Sequence, residues 1–176
     1  MRSVLDTAKN VKLLACDIDG VLTKGKIIIF NNGEEIKDWN VKDGMGYALL
    51  FMSELNIKTA WITGRGSLQV QKRAKDIKID YLVENCSDKL KALNNILGAT
   101  GLNLSEAAYI GDDIIDLPVL KSVGFAACPK DAAQDVKNNS LYISSLNGGE
   151  GVVRDVIEII MKSQGVWKKV LDKFSC

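Results

Sequence analysis

Two acidic clusters dominate the chemistry this chain could perform. Asp17-Ile18-Asp19-Gly20 follows one apolar run, and Gly111-Asp112-Asp113-Ile114-Ile115-Asp116 follows another. Taken singly, the first matches a strand-ending Asp-Gly turn and the second a set of carboxylates at a helix N-terminus. Brought to the same sheet edge, they would repel one another, and a hard oxygen-seeking cation relieves that repulsion. The pattern therefore predicts a Mg²⁺ site. Thr63-Gly64-Arg65 offers a hydroxyl, a backbone N–H and a guanidinium, and Lys89 offers a point charge near a helix start. These are anion-binding parts, although a helix-capping Thr63 and a solvated Lys89 are the plainer alternatives. Together the groups suggest phosphoryl transfer. One Asp attacks phosphorus, a second moves protons, and the cations neutralise the equatorial oxygens.

The 176 residues contain no histidine. That excludes His-based triads, imidazole bases and His metal sites. The net charge of +1 gives no reason to expect a nucleic acid or an anionic membrane as partner. Residues 1–10 carry no hydrophobic signal region, so a cytoplasmic location is expected. Cys16, Cys86, Cys128 and Cys176 form no CxxC pair and are expected as reduced thiols, with Cys16 a packing residue.

The elements that must position these groups alternate. Residues 11–18 and 58–63 read as buried strands, 81–83 as a short strand, and 107–110, 124–127 and 141–144 as further strands. Helical patterns occupy about 43–55, 66–77, a stretch capped by Ser87 and stopped by Gly101, a short piece ending near 120, a turn over 130–136, and 151–163. Residues 26–30 and 34–39 flank Asn31-Asn32-Gly33, a hairpin signal. The pattern predicts an α/β fold with a doubly wound parallel sheet, an inserted β-hairpin over about 26–39, and one domain spanning 1–176. Such sheets bind ligands beyond the carboxyl ends of their strands, where both acidic clusters fall. Trp39 and Trp61 are expected to pack within the hairpin face and core. Trp167 and Phe174, in a lysine-rich tail over about 164–176, leave three readings open: docking on the parent domain, meeting a neighbour's active site, or staying loose.

These motifs resemble the haloacid dehalogenase (HAD) superfamily of phosphatases. DIDGVLT at 17–23, ITGR at 62–65, Lys89 and GDDIID at 111–116 stand in that superfamily's order. The resemblance implies Asp17 as nucleophile, Asp19 as general acid/base, and Thr63 and Lys89 as phosphoryl ligands. It implies that Asp17, the Asp19 carbonyl and Asp112 hold Mg²⁺, supported by Asp113 and Asp116. Together with NVKDG at 40–44 and GGEGVVRD at 148–155, the chain resembles the small 3-deoxy-D-manno-octulosonate 8-phosphate (KDO8P) phosphatases, which lack a large cap domain. That likeness implies hydrolysis of KDO8P to KDO and phosphate in lipopolysaccharide precursor synthesis. It also implies a homotetramer built through the hairpins, and a tail able to close a neighbouring site. The substrate residues it implies are Asn40, Val41, Lys42, Asp43, Gly44, Gly64, Arg65, Arg73 and Lys89.

Two positions depart from the family pattern. Ala48 stands where enterobacterial members have Arg, and Glu150 where several members have Arg. The GGEG form is shared with phosphatases of nine-carbon keto-deoxy sugar acid 9-phosphates, which stay as the alternative; Arg65 in TGR favours KDO8P. A receiver-type phospho-accepting domain uses similar residues but places its acceptor Asp on a middle strand, whereas here the DxD comes first. Retention of Asp17, Asp19, Lys89 and Asp112 argues against a catalytically silent scaffold.

Overall fold

The computed structural model describes residues 3–175; Cys176 lies outside them. In chain order the elements are α1 (Val4–Ala8), β1 (Leu13–Cys16), β2 (Ile28–Ile29), β3 (Glu35–Ile36), α2 (Val41–Met52), β4 (Lys58–Ile62), α3 (Leu68–Asp76), β5 (Tyr81–Val83), α4 (Lys89–Thr100), β6 (Ala107–Ile110), α5 (Leu117–Leu120), β7 (Phe125–Cys128), α6 (Gln134–Asn138), β8 (Tyr142–Ile143), α7 (Val152–Ser163) and α8 (Trp167–Asp172). Six strands form one parallel sheet in the order β5-β4-β1-β6-β7-β8. The order reverses beside β1, so the crevice between the ends of β1 and β6 is the topological switch point.

Strand alternation sorts the core into two layers. Leu14, Cys16, Trp61, Ala108 and Ile110 face a layer with residues of α2 and α7, while Leu13, Ala15, Ile62 and Tyr109 face one with residues of α4 and α5. All four β1 residues are buried, as expected of a strand covered on both faces. This is the predicted doubly wound sheet.

Between β1 and α2 the insertion is the two-stranded hairpin β2–β3, with no larger cap. Gly33 turns it at φ +83°, a value glycine adopts without steric cost, and the Asn32 side chain accepts from Glu34 N at 3.0 Å. Each strand contributes two residues. Ile27, Ile28, Ile29, Phe30 and Ile36 are all exposed.

Some boundaries differ from the sequence reading. The fourth helix is capped by Asp88, not Ser87: the Asp88 carboxylate accepts from Lys91 N at 2.9 Å, which starts the helix at Lys89. The turn expected over 130–136 forms a helix only from Gln134. Ala133 N donates to Asp112 O at 2.9 Å, tying the preceding segment to the acidic loop. The helix ending at Leu120 opens as a 3₁₀ turn over Ile114–Asp116. The helix α1 has no counterpart in the sequence reading; Ser3 caps it by accepting from Asp6 N.

The tail docks on its own chain. Val170 is fully buried, and the Trp167 ring lies 5.2 Å from Lys162 Nζ and 5.8 Å from the Arg154 guanidinium carbon. Lys169 and Lys173 pair with Glu54, just beyond α2, while Phe174 stays exposed. Among the described residues no helix is long and apolar enough to cross a membrane.

Candidate active site

Asp17 is the first residue beyond β1, and its N–H donates to Ile110 O at 2.9 Å, which locks it onto β6. One carboxylate oxygen accepts from Ile18 N at 2.7 Å; the other meets Lys89 Nζ at 2.8 Å. Lys89 reaches in from the first turn of α4 and places its ammonium between Asp17 and Asp116, 2.7 Å from the latter. All three side chains are buried. A buried ammonium is tolerated here because two carboxylates share it.

Asp116 has no spare capacity. Its Oδ1 accepts from Lys89 and from the Tyr109 hydroxyl at 2.7 Å, and its Oδ2 accepts from Asp112 N and Asp113 N. It therefore shapes the acidic loop and orients Lys89. Asp113 turns to its own helix end and accepts from Ile114 N at 2.7 Å.

Asp112 differs from both. Its Oδ1 is buried without a hydrogen-bond partner. One carboxylate oxygen from each of Asp17, Asp112 and Asp116 falls within 4.8 Å of the others. An orphaned buried oxygen beside a second carboxylate, in a set of oxygen donors only, fits Mg²⁺. Asp17 and Asp112 would hold the ion, and Asp116, already saturated, would support them.

Electrostatics agree with this division. Burial pushes Asp17 up to about 6, against the opposing pull of Lys89. Burial, with Asp17 and Asp116 as close anions, pushes Asp112 up to about 8. Burial alone would lower Lys89, but Asp17 and Asp116 outweigh it and raise its pKa.

Two glycines make the close approach possible. A Cβ on Gly20 would lie 2.0 Å from Asp112 Oδ2, and one on Gly148 would lie 1.9 Å from Gly20 O. Any side chain at Gly20 would push the Asp112 carboxylate out of its place. Gly148 presses the GGEG loop against them from the third side.

The remaining predicted residues sit around this floor. Asp19 turns its carboxylate to Lys37 at the exit of the hairpin and lies 3.4 Å from Thr23 Oγ1. Buried Thr63 closes its own turn, accepting from Arg65 N at 3.1 Å across Gly64. Arg65 meets Glu35 of β3 at 2.8 Å. Asn40 caps α2 and donates to Gly149 O at 3.0 Å; the Lys42 stem lies near Gly151, and Val41 is exposed.

Asp43 and Arg73 belong to a different group. Asp43 is buried and accepts from Arg154 N at 2.9 Å, so it holds the start of α7; burial pushes it up to about 6. Arg73 packs where a Gly44 side chain would go, 2.5 Å from that virtual Cβ. Both line a small cavity with Trp39 and Trp61, whose rings stack at 5.6 Å. Cys16 sits below, 3.6 Å from the Tyr47 hydroxyl, its thiol pushed up by burial as befits a packing residue.

Lys37, Glu35, Tyr109 and Gly148 escaped the sequence reading as site residues. The hairpin cations and anions look like ordinary surface charges in sequence, and Tyr109 looks like a core aromatic. Only GGEG carried a signal, as one of the quoted motifs.

Residues 82–156 match the haloacid dehalogenase-like hydrolase family. The KDO8P phosphatase of Yersinia pestis is 38% identical over 161 residues, 92% of this chain and 85% of that protein. The chain belongs to the KDO8P phosphatase family.

Solved KDO8P phosphatases share the whole architecture. The Moraxella catarrhalis enzyme, crystallised with magnesium ion, phosphate ion and KDO, superposes with a TM-score of 0.94 at 38% identity, covering 97% of both chains. The cobalt-bound Haemophilus influenzae enzyme gives 0.87 at 33% identity, covering 92% of this chain and 93% of its own. The hairpin and tail lie outside residues 82–156, so the likeness to KDO8P phosphatases extends well past the stretch matched by the family.

Proposed function

We propose that this chain is a Mg²⁺-dependent phosphatase that hydrolyses KDO8P to KDO and inorganic phosphate. The observation that carries this reading is the buried Asp17–Lys89–Asp116 group beside the unpartnered Asp112 oxygen, in a chain 38% identical to KDO8P phosphatases. The whole chain acts as one catalytic domain.

Asp17 attacks phosphorus, and the ester oxygen leaves as the Asp17 phosphate forms. Asp19 donates the proton that the leaving oxygen needs, then takes one from the water that releases phosphate. Lys89, held in line by Asp116, neutralises charge on the transferring group, and Thr63 and the Gly64 backbone complete that cradle. Bound Mg²⁺ supplies charge neutralisation at the phosphoryl oxygens. The substrate's sugar acid lies under the hairpin, against Asn40, Lys42, Arg65 and Lys89, with Asp43, Gly44 and Arg73 fixing the wall beneath.

The protein works as a homotetramer. A hairpin of two-residue strands is marginal alone, and Ile27, Ile28, Ile29, Phe30 and Ile36 leave apolar side chains exposed on both of its faces. Pairing of hairpins between copies would cover them.

The test is a phosphate-release screen of purified protein with Mg²⁺ over eight- and nine-carbon keto-deoxy sugar acid phosphates. Highest kcat/KM on KDO8P is expected. Preference for a nine-carbon 9-phosphate would move the assignment to that substrate, and no turnover of any sugar acid phosphate would overturn it.

A further inference from the structure

The hairpin touches the catalytic floor at one buried point. Its strands are exposed along their apolar faces, yet the Lys37 side chain just beyond β3 is only 7% exposed. Its ammonium pairs with the carboxylate of Asp19, whose other side-chain contact is Thr23 Oγ1 at 3.4 Å. Two anchors flank Lys37. Glu35, two residues before, accepts from Arg65 at 2.8 Å and from Gln69 Nε2 through its carbonyl at 3.1 Å. Trp39, two residues after, stacks on buried Trp61 at an interplanar angle of 11°. The backbone that carries Lys37 is therefore held on both sides, and the lysine itself holds Asp19.

We infer that Lys37 is a positioning residue, which fixes the Asp19 carboxylate so that proton transfer to the leaving oxygen is efficient. The inference rests on the phosphatase reading above, because it is Asp19's part in that reaction that Lys37 serves. The geometry supplies the reason. Asp17 is oriented by Ile18 N and Lys89, and Asp116 by four donors, but nothing else among the described residues orients Asp19 at ordinary hydrogen-bond length. A proton donor outside reach of its acceptor contributes nothing. The hairpin thus couples to the chemistry through one side chain as well as covering the substrate.

The leaving group provides the discriminating test. An alkoxide from a sugar phosphate needs a proton as the P–O bond breaks; p-nitrophenolate does not. Lys37→Met should lower kcat/KM for KDO8P by about 10- to 100-fold, part of the general-acid contribution. It should lower kcat/KM for p-nitrophenyl phosphate by less than about 3-fold, and Lys37→Arg should restore most of the loss. Equal losses on both substrates would make Lys37 a merely structural support and overturn the inference. A crystal structure of Lys37→Met supplies a readout independent of turnover. It should show Asp17 and Lys89 in place and the Asp19 carboxylate swung away; an unmoved Asp19 overturns the inference. Wild-type protein inert toward every phosphate ester would instead defeat the phosphatase reading, with the Asp19 placement still legible in those crystals.

Discussion

The floor of the site and the hairpin above it are built on opposite principles. On the floor, Asp17, Lys89, Asp116 and Asp112 are packed at the ends of two central strands, and nearly every polar atom has a defined partner. Over it, β2 and β3 hold on through the Arg65–Glu35 and Lys37–Asp19 pairs, with five large apolar side chains facing out. Burial makes the floor's electrostatics strong and its geometry fixed. Exposure makes the hairpin's Arg65–Glu35 pair weak, whereas the Lys37 side chain of the other pair is buried. The buried part is suited to the phosphoryl step, and the exposed part is where the substrate selection and association proposed above would act.

Asp17→Asn should break the floor's chemistry outright. Phosphate release is expected to fall by at least about 10⁴-fold while circular dichroism and the melting curve show an intact fold. Unchanged turnover would remove Asp17 as nucleophile. Chelation should act almost as severely. EDTA is expected to stop phosphate release, and added Mg²⁺ should restore it and raise the melting temperature. At 100 times its dissociation constant the ion adds about 2.7 kcal/mol of stability.

Lys89→Met tests the floor as structure. It leaves Asp17 and Asp116 buried without their shared cation, at a cost of about 3–5 kcal/mol readable by urea unfolding. The same logic sets the pH response of the metal-free protein. Asp112 is raised to about 8 in the folded state, so above the ordinary carboxylate range the native form binds more protons than the unfolded one. Metal-free stability should therefore fall as pH rises toward about 8, and saturating Mg²⁺ should flatten that decline in thermal melts.

The hairpin should respond in another currency. Ile28→Lys with Ile29→Lys is expected to convert a tetramer to monomers in light scattering with little change in the melting curve. Wild-type protein that scatters as a monomer at micromolar concentration would count against the tetramer itself. Arg65→Ala removes a half-exposed pair and should shift stability by no more than about 1 kcal/mol, while raising KM for the sugar acid phosphate.

Much of the floor was legible because it is written locally. A strand-ending DxDG and a strand-ending GDDxxD must fall at the same edge once their strands are parallel neighbours, and β1 pairs with β6 over four residues. Lys89 could be placed because a helix start after a strand points at that edge. The hairpin was legible from Asn31-Asn32-Gly33, though its strands are shorter than the apolar pattern suggests. Cap positions slipped by a residue where two adjacent side chains could both cap, as at Ser87 and Asp88.

By itself the sequence determined the alternation of strands and helices, the two acidic loops, the lysine between them and the absence of imidazole chemistry. These follow from periodicity and residue type, which act over a few positions. Only the tertiary structure decided that Lys37 reaches Asp19, that Asp43 accepts from Arg154 N at the start of α7, and that Gly148 must be bare because Gly20 O lies against it. Those contacts join segments 18, 111 and 128 positions apart. No local propensity encodes such a pairing; it exists because the packed sheet leaves each of these groups one place to go.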